Sequence, residues 1–188
     1  MPALFANGKY GQVEPNRLSG ITYGVIEAQA PAYQDKAAQT PIAELENGMF
    51  LCVLSDVSGT SPMGRIAVLP GVAEATSEPF MVFSERKQYD EREEYSDFVD
   101  RAKDKVDGLL YPRLISMKPD TDVFTTNTIY APVTTTFTVG QKLYIGNDGY
   151  LTTTPGKNLQ LQFEVSKVYT LPDGQPAVKL LVQHYVEP

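Results

Sequence analysis

The chain is poor in the side chains that most protein chemistry depends on: 188 residues include one histidine, one cysteine and no tryptophan. A single cysteine excludes an internal disulfide. Two imidazole or thiol ligands in all exclude a standard zinc site. A nucleophilic thiol or hydroxyl needs a base, and the one histidine, His184 in LLVQHYVEP, sits in the last strand-like run with nothing local to pair with. Cys52, between Leu51 and Val53 in MFLCVLSD, therefore reads as a buried small hydrophobe. Basic residues are outnumbered 16 to 23 by acidic ones, for a net charge of −7, and they are scattered. Without a basic stripe there is no counterion-releasing surface for nucleic acid and no polybasic membrane contact. No apolar run approaches the roughly 20 residues of a membrane-crossing helix. The opening MPALFANGKYGQ has neither a basic start followed by an apolar stretch nor a small-residue cleavage site. A soluble protein synthesised in a cytoplasm is the expectation.

What is present is mostly strand grammar. Residues 1–20 read as an extended N-terminal arm, in which Phe5, Tyr10 and Val13 are candidate partner contacts or the anchors of a locally packed terminus. From residue 21 to 188 the chain reads as one β-rich domain. ITYGVIEAQ alternates with Ile21, Tyr23 and Val25 on one side, and Asn47-Gly48 stands between two strand-like runs as a hairpin signal. RIAVLPGVA and EPFMVFSE are further short strands, and Pro132 demotes its segment to an edge or a bend. The C-terminal third alternates cleanly: Leu143 and Ile145 oppose Lys142 and Tyr144, Asn147-Asp148-Gly149 turns, and NLQLQFEVSKVYTL and AVKLLVQHYV flank the turn PDGQP. This is an antiparallel meander of the kind found in small barrels and sandwiches.

Residues 85–108 break the rhythm as a charged insertion. Tyr95, Phe98, Val99, Ala102 and Val106 recur at helical spacing, Asp90 and Glu93 fit a capping box, and Gly108 would close the end. The spacing predicts one amphipathic helix over about 90–107, its charges a solvated face or a binding surface. The fold class expected is mainly β: an antiparallel barrel or sandwich-like domain with that helix and the arm.

A catalytic carboxylate pair needs two acids on facing elements, and Glu44 and Glu164 each occupy a polar position of an alternating strand. Asp120 and Asp122 lack the glycine and terminal glutamate of a calcium loop. Phosphate-cradling glycine loops and a nucleophile elbow are missing. No catalytic, cofactor or metal residue is assigned. Threonine tracts remain, FTTNT at 124–128, TTTFT at 134–138 and TTT at 152–154. They suit a module that holds a shape or adds strands to a partner, or an ordinary solvated sheet face.

The run YPRLISMKPDTDVFTTNTI, followed by FTVGQKLYIGNDGYLTTT and VYTLPDGQPAVKLLVQ, resembles the decoration (cement) or auxiliary head proteins of tailed bacteriophages, over about 110–185. The matching positions are Pro112-Arg113-Leu114, Asp122 to Asn127, Val139 to Ile145, the Asn147-Asp148-Gly149 turn and Leu151-Thr152, with Gln141 where the family has Asp. The resemblance implies a non-enzymatic virion protein on the outer capsid surface that bridges capsid subunits. Its partners would be the major capsid protein and itself, a homotrimer being favoured over a dimer or monomer. No catalytic residue or cofactor carries over. A head-fibre base, adhesin or tail or neck component that binds a host glycan or another virion protein is the alternative, with Tyr144, Tyr150 and Tyr169 as aromatic platforms in place of tryptophan.

Overall fold

The computed structural model describes residues 10–59, 61–84, 99–131 and 135–186. The protein is mainly β, and two six-stranded sheets face each other in a sandwich-like domain. The first sheet has five strands from the C-terminal half: β10 (Val123–Thr126), β11 (Lys142–Ile145), β12 (Leu151–Thr152), β13 (Leu161–Thr170) and β14 (Pro176–His184). Its sixth strand is β1 (Val13–Arg17), and the order is β1-β10-β14-β13-β11-β12, antiparallel throughout. The second sheet collects β2 (Ile26–Glu27), β3 (Ala32–Tyr33), β5 (Phe50–Ser55), β6 (Arg65–Val68), β7 (Pro79–Val82) and β9 (Leu114–Ser116) in the order β2-β9-β7-β5-β6-β3. Its β3–β6 pair is parallel. A two-stranded piece joins β4 (Glu44–Leu45) to β8 (Asp100–Arg101).

The alternation of each strand places the core. Phe124, Leu143, Phe163, Val165 and Leu180 from the first sheet meet Phe50, Met81 and Ile115 from the second, all fully buried. Phe163 is the hinge of this contact, with its ring 5.2 Å from that of Phe50 and 5.9 Å, edge-on, from that of Phe124. Tilted and edge-to-face ring pairs of this kind add to simple area burial. On the other face of the second sheet, Leu51, Phe80 and Leu114 pack under Leu45, Ala102 and Leu110. That sheet is therefore apolar on both sides, which is why its strands read as continuous hydrophobic runs.

Two hairpins form where the local signals place them. Gly149, at φ 87°, turns β11 into β12 with Ile145 opposite Leu151; Gly174, at φ 86°, turns β13 into β14 with Thr170 opposite Pro176. Other expectations are corrected. Gly48 does take a positive φ of 88°, but the strands around it do not pair with each other: β4 joins β8, while β5 lies between β6 and β7. Asn47 instead accepts a hydrogen bond from Ser84 N at 2.6 Å and donates to Ser84 O at 3.0 Å.

The strand expected over ITYGVIEAQ is interrupted. Ser19–Tyr23 forms a short helix, α1, which Gly24 ends in the left-handed region at φ 75°. A Cβ at Gly20 would lie 2.2 Å from Ile115 Cγ2, so the helix packs directly on β9 there. Of the helix expected over 90–107, residues 90–98 lie outside the described residues, as does Pro132. Residues 99–107 are not its continuation: β8 is followed by a single 3-10 turn, Ala102–Asp104. Pairing with β4 buries Val99, Arg101 and Ala102, and Ala102 N donates to Ala43 O at 2.8 Å. Val106, the last residue of the expected apolar face, is fully exposed. Cross-strand pairing thus overrides the helical spacing of this segment.

Candidate functional site

Of the three arm residues singled out, Phe5 lies outside the described residues. The other two are held by the protein itself. Val13 opens β1, pairs with Thr126 and packs against the central core. Pro15 lacks an N–H to donate and suits the edge position of this strand. Tyr10 donates its hydroxyl to Asp173 Oδ2 at 3.3 Å, and its carbonyl accepts from Asn127 Nδ2 at 3.1 Å. Residues 13–17 of the arm thus form the edge strand of the first sheet, and Ser19 and Gly20 already belong to α1.

The FTTNT tract makes that attachment. Thr125, Thr126, Asn127 and Thr128 have no exposed surface. Buried hydroxyls and amides must find partners, and these find the N-terminal segment. Thr126 Oγ1 donates to Gln12 O at 2.7 Å, Asn127 Oδ1 accepts from Gln12 N at 2.7 Å, and Thr125 Oγ1 donates to Asn16 Oδ1 at 2.8 Å. Gly11 N donates to Glu46, which also accepts the Tyr150 hydroxyl at 2.9 Å. A side chain at residue 11 has no room, since its Cβ would be 2.6 Å from Thr128 Oγ1. Of the readings open for this tract, the solvated sheet face does not hold for residues 125–128, whose hydroxyls are spent inside. The tract 152–154 does face solvent, and part of 134–138 lies outside the described residues.

A second buried polar group braces the start of α1. Asp122 has no exposed surface and accepts three hydrogen bonds: Ser19 N at 2.8 Å and Ser19 Oγ at 2.5 Å on one oxygen, Lys118 N at 2.8 Å on the other. The carboxylate therefore serves as a knot between β10, the 118–122 turn and the N-terminal segment. Beside it, α1 and residues 116–119 enclose a shallow depression of about 270 Å³. Ile21, Tyr23 and Val25 project outward here, exposed by 39%, 75% and 51%.

Cys52 is fully buried, and burial pushes its thiol up to about 12 against the weaker pull of the Asn158 amide. A thiol so placed is not a nucleophile at neutral pH. His184 ends β14 on the surface, opposite Leu161. Glu164 is tied to Lys142 at 2.5 Å and to Gln183 at 3.0 Å, and those donors, Lys142 first, lower its pKa. Glu44 lies 3.6 Å from the buried Arg101. Of the tyrosines proposed as glycan platforms, Tyr150 is buried, and burial together with Glu46 raises its hydroxyl above the ordinary tyrosine range. Tyr144 stands edge-on to Tyr185 at 6.0 Å, and Tyr169 is half-buried. Among the described residues no group of three His, Cys, Asp or Glu side chains could hold a metal ion, and no helix is long and apolar enough to cross a membrane.

No protein-family model, curated protein or solved structure matches the chain.

Proposed function

We propose that the protein is a non-enzymatic structural component of a tailed-phage virion, one that binds the outer face of an assembled capsid and stabilises it by bridging neighbouring subunits. The observation that carries this reading is how the side chains are used. The polar and reactive groups singled out above are largely spent on internal contacts, while apolar side chains such as Ile21, Tyr23 and Val25 stay on the surface. The resemblance over 110–185 falls on strands β9 to β14, the most regular part of the scaffold. A ligand that binds an ordered lattice but not its dispersed subunits stabilises the lattice by mass action. Many copies multiply weak contacts by avidity, and a rigid sandwich loses little conformational freedom on docking. Cyclic self-association, a homotrimer first, would present identical faces to a symmetric shell.

The test is the composition and toughness of virions. Many copies per particle, and particles that open at milder heat when the gene is deleted, are the expected results. One or a few copies, with unchanged heat resistance, would count against the proposal. Binding of the isolated domain on a glycan array would favour the adhesin reading instead.

A further inference from the structure

We infer that the solvent face of the C-terminal sheet carries a carboxylate-binding site, made by Lys167, Lys179 and Tyr169, that takes an acidic segment of a partner protein. Lys167 and Lys179 are direct cross-strand neighbours on β13 and β14, at a point where a bulge between Val165 and Lys167 shifts the register. Like charges directly opposite each other on a sheet destabilise it. Among the described residues neither ammonium has an ion-pair partner within 4 Å to relieve the conflict. Glu164 is held by Lys142 and Gln183, and Glu14 lies two strands away, beyond Thr125.

The tyrosine organises the pair without neutralising it. Lys167 Nζ and Lys179 Nζ lie 6.0 and 5.9 Å from the centroid of the Tyr169 ring, at the outer limit of a cation–π contact. Ala177 is the residue opposite Tyr169, and its small side chain leaves the ring room beside the lysines. Two unneutralised cations gathered at one ring, in a chain of net charge −7, form a local field of the opposite sign to the whole. Such a spot steers and registers an acidic partner. Two cations on an open sheet face are too few to track a nucleic-acid backbone. The inference rests on reading the protein as a docking module and not on the partner being a capsid.

The test is fluorescence anisotropy of the full chain with a labelled hexaglutamate peptide at low salt, repeated with a hexathymidylate of similar charge. The wild type should bind the peptide, more weakly as salt rises. Lys167→Glu should weaken binding about tenfold or more. The same substitution should raise Tm, because it turns a repelling cross-strand pair into an attracting one. Lys36→Glu, in an exposed loop, is the matched charge control and should leave peptide binding near the wild-type value. Retained binding by Lys167→Glu, an equal loss in the Lys36 control, or a preference for the oligonucleotide would overturn the inference. Failure here with intact binding to capsids would leave the docking role standing, and the reverse pattern would leave the site standing without the shell.

Discussion

Replacing Asp122 by alanine tests whether a single buried carboxylate holds the N-terminal segment to the sandwich. The substitution removes the acceptor for Ser19 N, Ser19 Oγ and Lys118 N, at 2.8, 2.5 and 2.8 Å. The Ser19 hydroxyl lines the depression beside α1 and can turn to water, so two backbone donors carry the cost. A hydrogen bond to a charged group contributes about 1.5–3 kcal/mol, and these two donors are only partly buried, which sets the loss at about 2–4 kcal/mol. For a chain of this size that is a fall in Tm of about 5–15 °C. Asp122→Asn should cost roughly half as much, because Oδ1 can still serve Ser19 while the amide group meets the Lys118 N–H donor to donor. Urea unfolding followed by circular dichroism measures all three proteins. An Asp122→Ala loss below about 1 kcal/mol, smaller than one charged hydrogen bond, would refute the reasoning.

Three further outcomes follow from the same geometry. Gly11→Ala places a methyl 2.6 Å from Thr128 Oγ1 and 2.9 Å from the Asn47 carbonyl; overpacking of this kind should cost about 1–3 kcal/mol in urea unfolding. Cys52, with its thiol pushed up to about 12, should resist a disulfide reagent at pH 8 in the native protein and react at once in denaturant; native-state labelling at a free-cysteine rate would contradict its burial. Acid should destabilise the protein through carboxylates whose folded pKa is depressed. Asp56 is held low by the Ser58 hydroxyl first and then by Ser61 N–H, and Glu164 by Lys142 and then Gln183. Groups of this sign stabilise the fold fully above the ordinary carboxylate value of about 4 and lose that effect as pH falls through the folded pKa. The urea midpoint should therefore hold steady from neutral pH down to the carboxylate range and drop below it, with a shallower drop for Asp56→Asn.

Local features were legible in the sequence and long-range ones were not. The turns at Asn147-Asp148-Gly149 and Pro172–Gln175 announce themselves because glycine at positive φ and period-2 alternation act over a few residues. The partner of β1 lies more than a hundred residues away, and nothing in VEPNR names Thr125 and Thr126 as its neighbours. The threonine tract misleads for a related reason. Its hydroxyls suit a solvated face as well as a shape-holding one, and only the fold reveals that Gln12 and Asn16 supply their partners inside. Residues 99–107 carry real helical spacing, yet pairing with Glu44–Leu45 buries Val99 and Ala102 without an α-helix and leaves Val106 exposed. In the sequence Asp122 belongs to an incomplete calcium pattern and opens the run 122–127, neither of which points to a capping role. Its backbone-capping role depends on Ser19, brought to it by the edge strand.

The most direct measurement mixes the purified protein with capsids stripped of their outer proteins and, separately, with dissociated capsid subunits. Saturable binding to the shells, none to the dispersed subunits, and a higher temperature of shell opening are the results predicted for a lattice-bridging protein. Equal binding to both, or binding to neither, would contradict it.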